Sequence, residues 1–315
     1  MKSNINLHIH TTFSDGKKTV SQIVDELKNA DVKYFSITDH DEVIGNIEAA
    51  KLAYEYKMRY INGIELSSCF NGEIGYDATY VCHIIGLGFD YRKMLQEIEK
   101  IKIAKDVKMV ALYNNLLSEG YNLDFKNVYI EGRIPERKII AYELVNKGYA
   151  KDNDEAFLKI LNSEKFRKYA ENLPTIKQAV EIIHSCNGFA IWAHPFGIAR
   201  GGKKELTYEQ VAELSKSMLN YKIDALEVYY QEYSIEKIQY LENLATEMKL
   251  LKSIGTDYHG IVSEKEEDIK NNDDKIKEQI WFEKEDLVID YGIKKIIVKK
   301  QPEQLEAEIK KAEGH

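Results

Sequence analysis

Residues 6–16 read NLHIHTTFSDG. Two histidines, His8 and His10, stand one residue apart, and Asp15 follows on a loop that ends in glycine. The run INLHI (5–9) has the character of a strand. On an extended chain, alternate residues point the same way, so both imidazoles face one side. That arrangement suits two ligands of one metal ion, and Asp15 is placed to reach a neighbouring ion.

The same punctuation recurs outward from this stretch. YFSIT (34–38) leads into His40 of ITDHD, and YINGIEL (60–66) carries Glu65 at its end. TYVCHIIGLG (79–88) contains His83, and GFAIWA (188–193) leads into His194 of AHP. ALEVY (225–229) follows, and LLKSIG (250–255) precedes Asp257 and His259 of GTDYHG. Between these runs lie helical patterns. Val20, Ile23, Val24 and Leu27 form one apolar stripe. Helices are also expected near 44–57, 207–219 and 235–248, and Thr175 with Gln178 forms a capping box ahead of another.

Strand candidates that alternate with helices predict a mainly parallel sheet. Their number predicts a closed or nearly closed barrel. Residues 92–173 read as a charged helical segment inserted into it, a cap between a first barrel part at 1–91 and a second at 174–315. The end of the chain is charged (SEKEEDIKNNDDK) and then carries VIDYGIKKIIVKK, a candidate hairpin or edge strand.

In a parallel barrel the C-terminal strand ends converge on one face. Six of the eight histidines (His184 and His315 apart) and the acids Asp15, Glu65 and Asp257 would meet there. So many titratable groups in one buried place repel one another or desolvate badly. Divalent ions resolve the conflict. Imidazole and carboxylate without thiolate suit Zn²⁺, Mn²⁺ or Fe²⁺. The donors exceed what one ion needs, so two or three ions are expected, with Glu65 as the bridge. Closely spaced metals serve phosphoryl transfer by activating water and clamping the attacking and leaving oxygens. No Ser-His-Asp or Cys-His arrangement appears, so no protein nucleophile is expected.

Composition narrows the partners. The 315 residues are 44% hydrophobic and carry a net charge of −8, which argues against wrapping duplex nucleic acid. No apolar run approaches the roughly 20 residues of a membrane span. Cys69, Cys82 and Cys186 are scattered, odd in number and without CxxC spacing, as in a reducing cytosol. A cytoplasmic protein without membrane partners is expected.

HIHTTFSDG, ITDHD, GIELS, the histidine of CHIIG, AHP and GTDYHG, in this order, resemble the PHP (polymerase and histidinol phosphatase) family. The resemblance is nearest to its bacterial branch of AMP and 3′,5′-bisphosphonucleotide phosphatases and enzymes that trim short RNA from the 5′ end. It implies a distorted (β/α)7 barrel with a trinuclear centre, Mn²⁺ favoured. His8, His10, Glu65 and Asp257 would hold one ion, Asp15, His40 and His259 a second, and Glu65, His83 and His194 a third. Asp39, beside His40, is a candidate to orient a ligand imidazole or to cap the next helix.

The branch carries an R-x-H-[IV]-A segment in its cap whose Arg and His face the substrate phosphate. Here RKIIAYELVNKGYA puts Arg137 at the arginine and Ile139 at the histidine, and a second register makes Arg133 the arginine. Arg200, among glycines after His194, is a further phosphate candidate. In EVYYQ, Tyr229 (or Tyr230) is placed to line the pocket or stack on a base, and Glu227 to support a ligand. The expectation is hydrolysis of a small phosphorylated substrate, a nucleotide phosphomonoester, through metal-activated hydroxide. Histidinol phosphate, short RNA or a non-catalytic metal-binding role are the alternatives.

Overall fold

The structure is a computed structural model describing residues 5–76, 80–128, 137–166, 169, 173–198 and 204–260. Arg133, Arg200 and the charged C-terminal stretch lie outside the described residues. The chain divides into two compact units, one from Met1–Leu95 with Pro174–His315 and one from Gln96–Leu173.

The first unit opens with β1 (Ile5–Asn6), α1 (Val20–Asn29), β2 (Tyr34–Phe35), α2 (Gly45–Glu55), β3 (Arg59–Tyr60), β4 (Gly63–Cys69) and β5 (Val81–Leu87). The helix α3 (Tyr91–Ser118) carries the chain into the second unit. There follow α4 (Phe125–Val128), α5 (Arg137–Asn146) and α6 (Asn153–Glu155), which runs into a π-helical turn at Ala156–Leu161. Leu112, Leu116, Ile140, Leu144 and Leu161 form that unit's core. The chain then adds α7 (Ile176–Ser185), β6 (Phe189–Trp192), β7 (Gly197–Ile198), β8 (Lys204–Glu205), α8 (Tyr208–Asn220), β9 (Ala225–Tyr230), α9 (Ile235–Glu247) and β10 (Leu251–Gly255).

Local chemistry sets the helix starts. Thr19 caps α1 and Gln22 returns the bond, and Thr175 with Gln178 does the same for α7, as the sequence predicts. Thr207 and Gln210 repeat the device at α8. Such a cap contributes about 1 kcal/mol. The α1 stripe of Val20, Ile23, Val24 and Leu27 is buried against Ile9, Phe35, Ile37, Ala49 and Ala53.

The fold is mixed α/β, but its ladders are not all parallel. β1, β2 and β3 form a parallel three-stranded sheet. The larger sheet has the order β10-β9-β6-β5-β4, and β5 runs antiparallel to both neighbours. Among the described residues no helix of crossover length lies between β4 and β5, and the two strands pair antiparallel, as a short connection allows and parallel pairing does not. The run expected at 60–66 divides into β3 and β4. The first two strands are shorter than their β-rich runs, because the chain changes partners beyond them. Leu7 N–H donates to Ile254 O (3.1 Å) and Ile9 bridges to Tyr258, which joins the end of β1 to β10. Asp41 N–H donates to Glu65 O (3.0 Å) and Glu65 N–H to Asp39 O (3.2 Å), which joins the segment after β2 to β4. The small sheet is thus tied by backbone bonds to both edges of the large one. Among the described residues no helix is long and apolar enough to cross a membrane.

Candidate metal centre

These backbone ties bring the strand ends together. His8 and His10 leave β1, His40 leaves β2, His194 leaves β6, and Asp257 and His259 leave β10. Glu65 projects from β4. His83 lies near the start of β5, and the reversed direction of that strand carries its start to the side where the parallel strands end. A histidine inside a strand run therefore joins histidines at strand ends.

Eight of the nine side chains form three groups able to hold an ion, and His194 stands beside them, against Glu65. His10, Asp15, His40 and His259 are one, His8, His10, Glu65 and Asp257 a second, and His40, Glu65 and His83 a third. Each pair of groups shares one residue, so the groups are contiguous. Glu65 lies at the centre, with ring nitrogens close to both of its oxygens. Its Oε1 is 3.3 Å from His8 Nε2, 3.4 Å from His83 Nδ1 and 3.2 Å from His194 Nε2. Its Oε2 is 3.1 Å from His10 Nε2 and 3.1 Å from His40 Nδ1. Asp257 Oδ1 is 3.2 Å from His8 Nε2 and 3.0 Å from His10 Nε2. Asp15 reaches His259 Nε2 at 3.2 Å.

The donors fit divalent ions. Atoms bound at about 2.0–2.2 Å to one ion stand about 3.0–3.5 Å from each other. Pairs of ring nitrogens show the same spacing. His8 Nε2 and His10 Nε2 are 3.1 Å apart, and His83 Nδ1 and His194 Nε2 are 3.3 Å apart. His40 Nδ1 and Glu65 Oε2 are buried with no hydrogen bond, although they are 3.1 Å apart. Buried polar atoms normally find partners, and an ion between these two would supply one. His8, His10 and Glu65 are fully buried. The set is nitrogen and oxygen without sulfur, as Mn²⁺, Fe²⁺ and Zn²⁺ accept.

The cluster's electrostatics divide its imidazoles. Burial pushes His10 down, but the carboxylates of Asp257 and Glu65 outweigh it and raise it to about 9. Burial lowers His40 to about 4, with His10 and His83 adding to the effect against the pull of Glu65. Burial works against ionisation of Asp257 too, yet His8 and His10 hold it well below the usual carboxylate range.

Several residues shape the site without lining an ion position. Asp39 neither orients His40 nor caps α2. It accepts from Thr11 N (2.7 Å), Thr11 Oγ1 (2.7 Å) and Ser14 Oγ (2.6 Å), which pins the loop carrying His10 and Asp15. Glu42 accepts from the backbone amides just ahead of α2, those of Val43 (2.8 Å) and Ile44 (3.1 Å). Gly16 is needed where it stands, since a Cβ there would lie 2.6 Å from His10 backbone atoms. Asp41, His194 and Asp257 hold left-handed backbone at φ 50°, 29° and 53°. Such conformations cost energy in residues other than glycine and gather at functional sites.

The tyrosine expectation needs correction. Tyr229 turns from the metal cluster, and its hydroxyl donates to Glu242 of α9 at 2.8 Å. Tyr230 instead faces the cluster, with its hydroxyl 3.4 Å from Asp257 Oδ2 and its ring 5.9 Å from that of His194. The cause is a bulge in β9. Ser253 of β10 pairs with Glu227 and Ile254 with Tyr229, so Val228 is the extra residue. A bulge re-aims the side chains beyond it. Strict alternation from Glu227 points to Tyr229, and the bulge gives the place to Tyr230. In the second unit, Arg137 Nη2 donates to Leu161 O and to Asn162 Oδ1, and its guanidinium lies 5.4 Å from the centre of the Phe157 ring.

The chain is similar to known proteins in sequence and in fold. The model of the PHP domain matches residues 6–229. A 5′-3′ exoribonuclease of Haemophilus influenzae is 27% identical over 263 residues, 82% of this chain and 91% of that protein. A 3′,5′-nucleoside bisphosphate phosphatase of Chromobacterium violaceum is 26% identical over 265 residues, 82% of this chain and 87% of that protein. Among solved structures, an amidohydrolase from Chromobacterium violaceum with bound sulfate and no metal superposes with a TM-score of 0.64 at 23% identity, over 96% of this chain and 100% of that one. A family match across most of the chain, with strand ends that gather imidazoles and carboxylates, places the protein in the PHP family of metal-dependent phosphoesterases.

Proposed function

We propose that the protein hydrolyses phosphomonoesters of small nucleotides, of the AMP or 3′,5′-bisphosphonucleotide kind, at a centre of two or three divalent ions, with Mn²⁺ favoured over Zn²⁺ or Fe²⁺. The observation that carries this reading is the sharing of His10, His40 and Glu65 among three adjoining donor groups. His8, His10, Glu65 and Asp257 would hold one ion, Asp15, His40 and His259 a second, and Glu65, His83 and His194 a third. His40 also stands beside that last position. Divalent ions there would supply Lewis acidity toward phosphoryl oxygens and acidify water.

The chain's own residues set the conditions for that chemistry. Burial of Glu65, His8 and His10 keeps the ions' inner side dry, where electrostatic interactions are strong. Burial and then Asp257 raise the Tyr230 hydroxyl, so it keeps its proton at neutral pH and can donate to a phosphate oxygen.

A distorted (β/α)7 barrel built from 1–91 and 174–315, with 92–173 as its helical cap, is supported by the backbone ties between the two sheets and by the division into units. Arg137 remains the favoured phosphate ligand, on its place in the family's cap segment, with Arg133 and Arg200 as alternatives. A cytoplasmic location is supported by three buried cysteines that form no disulfide. Trimming of short RNA is a second reading, favoured by the exoribonuclease relative.

The test is phosphate release with Mn²⁺ from AMP, 3′,5′-bisphosphoadenosine, a 5′-phosphorylated short RNA and histidinol phosphate. Turnover concentrated on a mononucleotide is expected. Preference for the RNA would favour the second reading, and no release from any of them would contradict the proposal.

A further inference from the structure

Glu227 is fully buried in β9 and belongs to none of the three donor groups. Its two oxygens are nevertheless committed to two different strand ends. Oε1 lies 2.9 Å from His8 Nδ1. Oε2 accepts the backbone N–H of His194 at 2.7 Å. His8 presents its other nitrogen, Nε2, to Glu65, Asp257 and His10 at 3.1–3.3 Å. His194 holds a φ of 29°, and its Nε2 lies 3.2 Å from Glu65 Oε1.

We infer that Glu227 is the positioning residue of the centre, fixing His8 as the Nδ1–H tautomer and pinning the strained backbone at His194, so that one carboxylate sets donors belonging to two ion positions. A carboxylate can only accept, so its partner nitrogen on His8 must carry the proton. The lone pair is then on Nε2, beside Glu65 and Asp257, where it would be available to an ion. Oε2 meanwhile supplies the acceptor that a left-handed residue at the end of β6 needs for its N–H. Two further features exist to permit this contact. A Cβ at Gly255 would overlap His8 Cβ and would lie 2.5 Å from Glu227 Oε1. The β9 bulge follows directly after Glu227, so Glu227 and Tyr230 face the same side of the strand.

Glutamine cannot reproduce both bonds. Its amide has one acceptor oxygen, and its NH₂ would face either His8 Nδ1–H or His194 N–H. The inference rests on the proposed binding of divalent ions, and the experiment separates the two. Mn²⁺ binding is measured by calorimetry on the wild type and on Glu227→Gln, with circular dichroism on both. Wild type should bind Mn²⁺, and Glu227→Gln should bind it about 10- to 100-fold more weakly with its helical spectrum retained. Equal affinity in the two would overturn the role of Glu227. Absence of binding by wild type would overturn the metal reading itself.

A second measurement needs no variant. Long-range ¹H–¹⁵N spectra of the Zn²⁺-loaded wild type report which His8 nitrogen carries hydrogen. A protonated Nδ1 with a metal-shifted Nε2 is expected. The opposite tautomer would overturn the inference even if Glu227→Gln failed to fold.

Discussion

Nδ1 of His40 and Oε2 of Glu65 stand 3.1 Å apart, both shut off from solvent, and neither makes a hydrogen bond. Leaving both atoms buried without a partner would be costly for a purely structural pair, and a cation between them would remove that cost. Glu65 faces five imidazoles, so its removal should affect more than one ion. Glu65→Gln is expected to lower both Mn²⁺ stoichiometry and kcat, the latter by about 10³-fold or more, since metal charge stabilisation is worth several kcal/mol. Elemental analysis of the dialysed variant and a phosphate-release assay check this. Wild-type stoichiometry in the variant would contradict the central place given to Glu65.

Metal binding should release protons. Below about 9 the metal-free His10 carries a proton that an ion must displace, whereas His40, lowered to about 4, has none to lose near neutrality. Affinity for Mn²⁺ is therefore expected to strengthen as pH rises toward 9 and to weaken below it, by up to about tenfold per pH unit for each proton displaced. Calorimetry in buffers of different ionisation enthalpy measures the protons directly. Proton-neutral binding near pH 7 would contradict the assignment of His10.

The bulge in β9 assigns different roles to adjacent tyrosines. Tyr230→Phe should reduce kcat, because its hydroxyl is the one beside Asp257. Tyr229→Phe should leave kcat near wild type and cost about 1 kcal/mol of stability through the lost bond to Glu242. Steady-state kinetics and urea unfolding on both variants distinguish the two roles. A kinetic defect confined to Tyr229→Phe would contradict the register.

Gly255→Ala is expected to destabilise the fold by about 1–3 kcal/mol, because its Cβ would press on His8 and Glu227. Added Mn²⁺ should restore less thermal stability to this variant than to wild type. Thermal melts with and without Mn²⁺ check both statements. Equal stabilisation would show that the close packing at Gly255 does not matter to the donors.

Much of this was legible in the residues. The HxH spacing, the histidines after strand runs and the Thr-x-x-Gln caps depend on local geometry, which sequence records directly. Asp15, His40, Glu65, His83, Asp257 and His259 come together as their positions in the pattern suggest, with His194 against Glu65. Strand direction was not legible. The reversal of β5 depends on how the chain between Cys69 and Val81 turns, and an apolar run reads the same in either direction. Nor was the bulge at Val228, because one residue of slippage leaves no mark on composition. The work of Asp39 was also hidden. Its partners Thr11 and Ser14 lie far from it in sequence, and a TDHD motif gives no sign of which way its first carboxylate points.

The central claim is that the buried cluster holds divalent ions that hydrolysis of a phosphomonoester requires. The most direct measurement is a titration of chelator-treated protein with Mn²⁺, following bound metal and phosphate release from a mononucleotide in the same samples. Two to three tightly bound ions per chain, with turnover rising in step and abolished again by chelator, are predicted. Full turnover by metal-free protein, or saturation with Mn²⁺ bound elsewhere and His10→Ala indistinguishable from wild type, would contradict the account.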